Sequence, residues 1–438
     1  MYPDFQYLLH GIFGVDMPEW LSIFKTFGFF VALAFLGAAW TLTQELKRKE
    51  QQGLLIPTIV PVEVGKPASA NELFWSVLLG FVLGYKIGGI IGDLKDVTPN
   101  PLGYIFSIKG SLLVGILGAL VLGYSKYIEK KKRQLPEPVI KKVAIYPHQR
   151  IGEMVVIAAV GGLIGAKIFN AFESWDDFIR DPAGNLLSSS GLTFYGGLIV
   201  ATAAFYYYAR KYKIPFHHLC DAIAPGLMLA YGFGRFGCQF SGDGDWGIFN
   251  SAYVTQPDNS LRLSSRGDYM HSLYYNREYF LHYLNYPNYI SVPNAHVAAP
   301  SWLPQWMFAM NFPHNVAHEG IAIAGCTGDY CSVLPVGVFP TSFYEAITCI
   351  ILFFVLWSIR KRIKYPLHLF GIYLILNGIE RFLIETIRVN YKYNLGFIHP
   401  SQAEIISTLL VIAGICILLF YKKKNEIVSE KVVITPSQ

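Results

Sequence analysis

Charge is what this chain is short of. Of its 438 residues, 15% are Asp, Glu, Lys or Arg and 53% are hydrophobic. A soluble domain carries about 25% charged residues, so a soluble globular protein is excluded. Cysteine is scarce as well. Cys220, Cys238, Cys349 and Cys416 lie in or beside apolar runs and read as small core residues. Cys326 and Cys331 share a polar loop, GCTGDYC, at a spacing that permits a local disulfide in an oxidising compartment. A single C-x4-C pair, with no second pair, is a poor zinc signal, and His314-x3-His318 lacks a following ligand set. No metal and no cofactor are expected. A basic n-region and a small-residue cleavage site are missing ahead of the first apolar run, so no cleaved signal peptide is expected. Basic residues occur only in short clusters beside hydrophobic runs, which argues against a nucleic-acid partner. The apolar stretches are continuous rather than alternating, which excludes an outer-membrane barrel.

What the chain has is long hydrophobic runs, at 21–42, 72–91, 105–124, 153–172, 191–208, 220–236, 344–357, 367–387 and 405–421. Basic clusters follow the first, third, fifth, seventh and ninth of them, as at Lys47-Arg48-Lys49, Lys130 to Arg133 and Arg360-Lys361-Arg362. The positive-inside rule then places the N-terminus outside and the C-terminal tail, 422–438, in the cytoplasm. The expected fold is an all-α polytopic membrane protein of about nine transmembrane helices, a single integral membrane domain over 1–438. Within it, 72–142 is an extra helix pair and 248–338 a Tyr-rich extracytoplasmic insert between helices six and seven. Glu72, Gly84, Lys86 and Ile87 are echoed at the same spacing by Glu153, Gly165, Lys167 and Ile168. Both copies run in the same direction, unlike the inverted repeat of many transporters.

The sixth run leads into GRFGCQFSGDGDWG, residues 234–247, where Arg235 stands at membrane depth and Asp243 and Asp245 follow. An arginine there costs roughly 2.5–3.5 kcal/mol on insertion scales, so it needs a partner or a purpose. Arg381 and Glu385 are four apart on one helix face near the outer end of the eighth run, with Arg388 three further on. Tyr344 and Glu345 open the seventh run, and Tyr195 opens the fifth. On the assigned topology all of these sit at one level near the outer leaflet. Arg235 and Arg381 together point to an anion site, since guanidinium forks match phosphate. Glu385 reads equally well as an ion-pair partner of Arg381 or Arg388 that holds helix register. The residues alone give an outward-facing, arginine-lined site for a phosphorylated amphiphile. They leave binding, flipping and chemistry undistinguished.

Several segments resemble the bacterial phosphatidylglycerol–prolipoprotein diacylglyceryl transferase family. GLTFYGGLIV, 191–200, is similar to its segment with a His-Gly-Gly core. Asp221, Pro225 and Gly234-Arg235-Phe236-Gly237 resemble its signature, which continues to Asn-Phe-x-Asn-Gly-Glu. FPTSFYE, 339–345, looks like its His-Pro-Ser-x-x-Tyr-Glu block, and NGIERFLIETIR, 377–388, like its Arg-Phe-x-x-Glu-x-x-Arg segment. Phe27-Gly28 and Gln402 match at the two ends.

The resemblance implies transfer of a diacylglyceryl group from phosphatidylglycerol to the lipobox cysteine of a preprolipoprotein signal peptide, with release of glycerol phosphate, at the bacterial inner membrane. It implies phosphate binding and leaving-group stabilisation for Arg235 and Arg381. It also implies substrate contacts for Gly237, Asp245, Gly247, Tyr344, Glu345, Glu385 and Arg388. Tyr195 replaces the family's histidine base, which leaves Asp243 or Asp245 to take the thiol proton. Cys238 replaces the signature asparagine and Asn377 the family's tyrosine. The alternatives are an anionic-lipid transporter or flippase, and a non-catalytic lipoprotein-handling relative.

Overall fold

The computed structural model describes residues 1–92, 104–105, 107–187, 191, 193–284, 286–389, 393 and 399–421. The Pro99-Asn100-Pro101 turn with Asp93 and Asp96, and the 422–438 tail, lie outside the described residues. Each of the nine apolar runs forms a long helix. These are α1 (Thr26–Gln51), α2 (Ala70–Gly92), α3 (Leu112–Lys132), α4 (Ile151–Glu173) and α5 (Phe194–Lys211). They continue with α6 (Phe216–Ser241), α7 (Thr341–Ile359), α8 (His368–Glu385) and α9 (Gln402–Phe420). Among the described residues six are long and apolar enough to cross a membrane: α1 to α4, α7 and α9. Of the other three, α6 carries Arg235, and α8 carries Glu380, Arg381 and Glu385. The chain is a mostly helical, polytopic membrane protein. It divides into two compact units, Met1–Glu45 with 217–421, and Leu46–Phe216.

The second unit is a tandem duplication. Strand β1 (Thr58–Val64) and strand β2 (Val139–Ile145) start 81 residues apart, at 58 and 139. Helices α2 and α4 repeat that offset at both ends, from 70 to 151 and from 92 to 173. The side chains follow. Lys86 donates through Nζ to the Tyr104 carbonyl at 2.9 Å, and Lys167 to the Asn185 carbonyl at 3.0 Å, donor and acceptor both displaced by the same 81 residues. In each copy the two helices meet backbone to backbone at glycine. A Cβ on Gly84 would collide with the Val114 carbonyl, and one on Gly165 with the Gly196 carbonyl. Small residues allow this approach where hydrocarbon offers no hydrophobic drive for helix association. β1 and β2 pair antiparallel with Pro61 opposite Lys142, again 81 apart, so the copies meet about a local two-fold. Deleting 58–138 joins equivalent positions and removes one copy. The shortened chain is expected to insert and stay soluble in detergent; a protein that is degraded or aggregates would show that the β1–β2 pairing is indispensable.

In the first unit, α6, α7 and α8 share a core of Met228, Cys349, Phe353, Leu356 and Leu369. Asp221 of α6 accepts hydrogen bonds from the backbone N–H groups of Leu367 and Phe370, at 2.9 and 3.1 Å, and so caps the start of α8. α8 and α9 approach closely at Gly371 with Gly414 and at Gly378 with Ser407.

The insert carries a small sheet, which its aromatic, irregular sequence did not announce. Strand β3 (Phe249–Thr255) pairs with β4 (Leu261–Leu263), β5 (Asn294–Ala295) and β6 (Val336–Val338). Its core gathers Phe249, Tyr269, Leu273, Phe280, Phe312 and Leu334. Cys326 and Cys331 are disulfide-bonded within it. The Met1 ammonium donates to the Pro313 carbonyl at 2.6 Å, tying the N-terminus to the same body.

Candidate active site

Helix α6 ends where Gly242 takes a left-handed conformation, φ 68°, with its N–H bonded to the Cys238 carbonyl at 2.9 Å. Gly244 follows at φ 95°. Two such residues in three fold the chain back on the helix end, which side chains with a Cβ resist. Asp243 and Asp245 thereby return toward Arg235. The Thr341 and Ser342 hydroxyls fix this loop by donating to the Asp245 carbonyl at 3.0 and 2.6 Å. Beyond it, Gly247 N–H bonds the Phe339 carbonyl and Ile248 N–H the Ile387 carbonyl, both at 2.9 Å. The exit of α6, the start of α7 and the end of α8 are thus stitched together by backbone. A Cβ at Gly247 would lie 2.7 Å from Thr341 Cγ2 and 2.8 Å from the Ile387 carbonyl, so only glycine lets the three segments close.

This stitching assembles an alternating ion-pair network. Asp245 bridges Arg235 and Arg388, accepting from Nη1 of one and Nη2 of the other. Glu345 is fully buried between Arg235 (Nε to Oε2, 3.0 Å) and Arg381 (Nη1 to Oε1, 2.7 Å), and the Tyr231 hydroxyl donates to it at 3.2 Å. Arg381 Nη2 reaches Glu385 Oε2 at 2.8 Å, and Ser401 donates to the other Glu385 oxygen at 2.7 Å. Three guanidiniums face three carboxylates. Arg388 Nη1 has no hydrogen-bond acceptor among the described residues; the Glu345 oxygen is 3.9 Å away. The arginine side chains are 10–20% exposed and Asp245 is 31% exposed, so the network is reached from the Asp245 side.

The two aspartates of the loop differ electrostatically. Burial alone would raise the Asp245 carboxyl, but Arg235 and Arg388 overcome it and hold it down at about 2. Asp243 is pushed up, first by burial and then by the neighbouring charge of Asp245. Asp245 is therefore a fixed anion and the weaker base, whereas Asp243 is the one whose proton affinity is enhanced. Cys238 Sγ lies 3.9 Å from Arg235 Nη1. Cys238, Asp243 and Asp245 bring their ligand atoms within 4.8 Å of one another. As a cation site the trio is poor: Asp245 is already bound by two guanidiniums, and Arg235 would repel a metal.

Other expected site residues make contacts outside the network. Gly237 faces Phe27 and Phe30, where a Cβ would lie 3.1–3.2 Å from their atoms. The Tyr344 hydroxyl donates to the Met307 carbonyl at 2.5 Å and anchors the insert to α7. Arg235 and Arg381, expected to await an anion, are held by carboxylates of the chain itself. Of the two ion-pair partners the sequence offered for Glu385, it meets Arg381. Tyr195 belongs to the other unit, at the first turn of α5 with its ring against Phe194. Tyr231 and Ser401 have no counterpart among the expected residues, since a tyrosine in an apolar run or a hydroxyl at a helix start carries no distinguishing pattern.

The family model described as "Prolipoprotein diacylglyceryl transferase" matches residues 111–420, which include every member of this network. The chain belongs to that family. Relatives include a protein of Chlorobaculum tepidum, 26% identical over 289 residues (63% of this chain and 75% of its own length). Another, from Dehalococcoides mccartyi, is 22% identical over 289 residues, 66% of this chain and 83% of its own. A Leptospira interrogans protein is 28% identical over 162 residues, 32% of this chain and 48% of its own. Each is named phosphatidylglycerol–prolipoprotein diacylglyceryl transferase.

Proposed function

We propose that this protein transfers the diacylglyceryl group of phosphatidylglycerol to the sulfur of a lipobox cysteine in a preprolipoprotein. A C–S bond forms, the C–O bond to phosphate breaks, and glycerol phosphate leaves. The observation that carries this reading is the buried layer of Arg235, Arg381 and Arg388 inside the family match. Negative charge develops on the departing phosphate, and preorganised guanidiniums in a water-poor site stabilise it. Asp245, the most exposed carboxylate of the layer, is the counter-ion that the phosphate displaces, with Gly242 and Gly244 as the turning points. The open Nη1 of Arg388 is a ready donor. Glu345 and Glu385 keep the arginines in place. The thiolate is the nucleophile, so the thiol proton needs an acceptor. Asp243 takes it.

Incubating the purified protein with phosphatidylglycerol and a lipobox peptide, followed by mass spectrometry, tests the activity. A peptide heavier by one diacylglyceryl group is expected; lipid movement without covalent product would point to a flippase instead. The raised carboxyl of Asp243 gives a further expectation. The base must be ionised, so the rate should fall with decreasing pH on a limb above the ordinary aspartate range near ~3.9. Asp243→Asn should remove that limb and lower kcat by about 10²–10⁴. Full activity in that variant would exclude Asp243 as base.

The site faces the outer leaflet of a bacterial inner membrane, with the N-terminus outside and the C-terminus in the cytoplasm. The Cys326–Cys331 disulfide agrees with an oxidising side. After gentle reduction, a membrane-impermeant maleimide is expected to label this pair in spheroplasts. Labelling only after lysis would invert the topology.

A further inference from the structure

Glu380 of α8 lies directly beside the arginine layer and is not part of it. It is 4% exposed, and neither carboxyl oxygen has a hydrogen-bond partner; no ion pair engages it among the described residues. The charged groups within electrostatic reach are Glu345 from α7, Arg235 from α6 and Arg381 from its own helix. Tyr231 of α6, Cys349 of α7 and Tyr373 of α8 complete its titratable surroundings. Asn377 and Ile384, three residues before and four after it, flank Glu380 on its own face of α8, and Arg381 is the next residue in the chain.

Charge decides its form. The three arginines are already matched by Asp245, Glu345 and Glu385. An ionised Glu380 would add a fourth carboxylate with neither cation nor donor, which a buried site does not tolerate. Glu380 therefore holds its proton, and its O–H is a buried donor without an acceptor. The reaction supplies an acceptor at this level. Phosphate bound to Arg235 and Arg381 gains a second negative charge when the C–O bond breaks, and the balanced layer has no spare positive charge to meet it.

We propose that Glu380 is the general acid for the leaving group. This rests on the transferase reading. As the thiol sulfur bonds to the glyceryl carbon, the C–O electron pair goes to the phosphate oxygen. Glu380 gives its proton to the phosphate while Asp243 takes the thiol proton. Glycerol phosphate leaves as the monoanion. Asp243 then returns its proton to water and Glu380 regains one, so the overall step needs no external acid, base or redox partner.

The test compares wild type, Glu380→Gln and Glu380→Asp with two donors, phosphatidylglycerol and phosphatidyl-trifluoroethanol, whose departing phosphate is less basic and needs less protonation. With phosphatidylglycerol, Glu380→Gln should lower kcat by about 10²–10³ with KM little changed, and Glu380→Asp should recover part of the rate. With the trifluoroethyl donor the deficit of Glu380→Gln should shrink to within about tenfold. A Gln variant as fast as wild type on phosphatidylglycerol overturns the role. An equal deficit on both donors also overturns it, because a purely structural defect does not depend on the leaving group. Wild-type enzyme inactive on both donors would sink the transferase reading, and this role with it.

Discussion

Arg235→Ala is expected to lose at least about 10³-fold in transfer rate, the largest effect of any single substitution in the chain. Removing one preorganised donor from an oxyanion-type site typically costs 10²–10³. Arg235 does more than donate. It holds Asp245 through Nη1 and Glu345 through Nε, so its loss strips a counter-ion from both carboxylates. The vacated space then presents two negative charges to an incoming phosphate. Arg235→Lys keeps the charge but reaches only one of the two carboxylates, and should retain a small residual rate, since a point charge does not replace a planar fork. Mass spectrometry of the lipobox peptide measures both variants, and complementation of a transferase-depleted strain gives an independent readout. Growth supported by Arg235→Ala would remove this residue from the mechanism and the transferase assignment of the site with it.

Glu345→Ala should damage fold and function together. Glu345 is fully buried and is the shared counter-ion of Arg235 and Arg381, with Tyr231 donating to the same oxygen that meets Arg381. Breaking a buried pair from one side costs about 3–5 kcal/mol, chiefly because the abandoned charge stays buried. Here two cations each lose one of their two carboxylates. A marked fall in melting temperature of the detergent-solubilised protein is expected, with loss of transfer. Glu345→Gln preserves shape and the Tyr231 contact, and should fold better while leaving the two guanidiniums misaligned and the rate low. If the alanine variant melts like wild type, Glu345 is not the keystone of the layer.

The resemblance to the family could be read because its residues cluster in short ordered segments, each with an unusual polar group in an apolar run. Arg235 was conspicuous for that reason, and so was the pair of Arg381 and Glu385, whose four-residue spacing already placed them on one helix face. Spacing could not say which cation each carboxylate would hold. Arg388 and Asp245 are far apart in the chain, and their pairing depends on backbone bonds from Gly247 and Ile248 to Phe339 and Ile387. The difference between Asp243 and Asp245 was equally hidden, since two aspartates separated by one glycine look alike until burial and the arginines distinguish them. Glu380 was visible as a charged residue in a hydrophobic run. That it has no hydrogen-bond partner among the described residues could be seen only once its neighbours were placed.

The duplication in the second unit shows the same division. Glu72, Gly84, Lys86 and Ile87 were a short echo of Glu153, Gly165, Lys167 and Ile168, too few residues to carry weight alone. The matching element bounds, the equivalent lysine-to-carbonyl bonds and the symmetric strand pairing extend the echo to a whole strand–helix–helix unit. Backbone geometry outlasts side-chain identity when most side chains need only be apolar.

The membrane class, the nine helical runs and the position of the arginines were set by composition and hydrophobic length, because burying backbone in lipid leaves a helix few alternatives. The partners of those arginines, the difference between Asp243 and Asp245 and the burial of Glu380 apart from any hydrogen-bond partner among the described residues were decided by tertiary structure. Ion pairing and burial are relations between segments, and the order of residues along one segment does not contain them. The stretch from Gly234 to Gly247 carries both kinds of information: a charge that sequence alone exposes, and a left-handed turn at Gly242 that brings its counter-ion home.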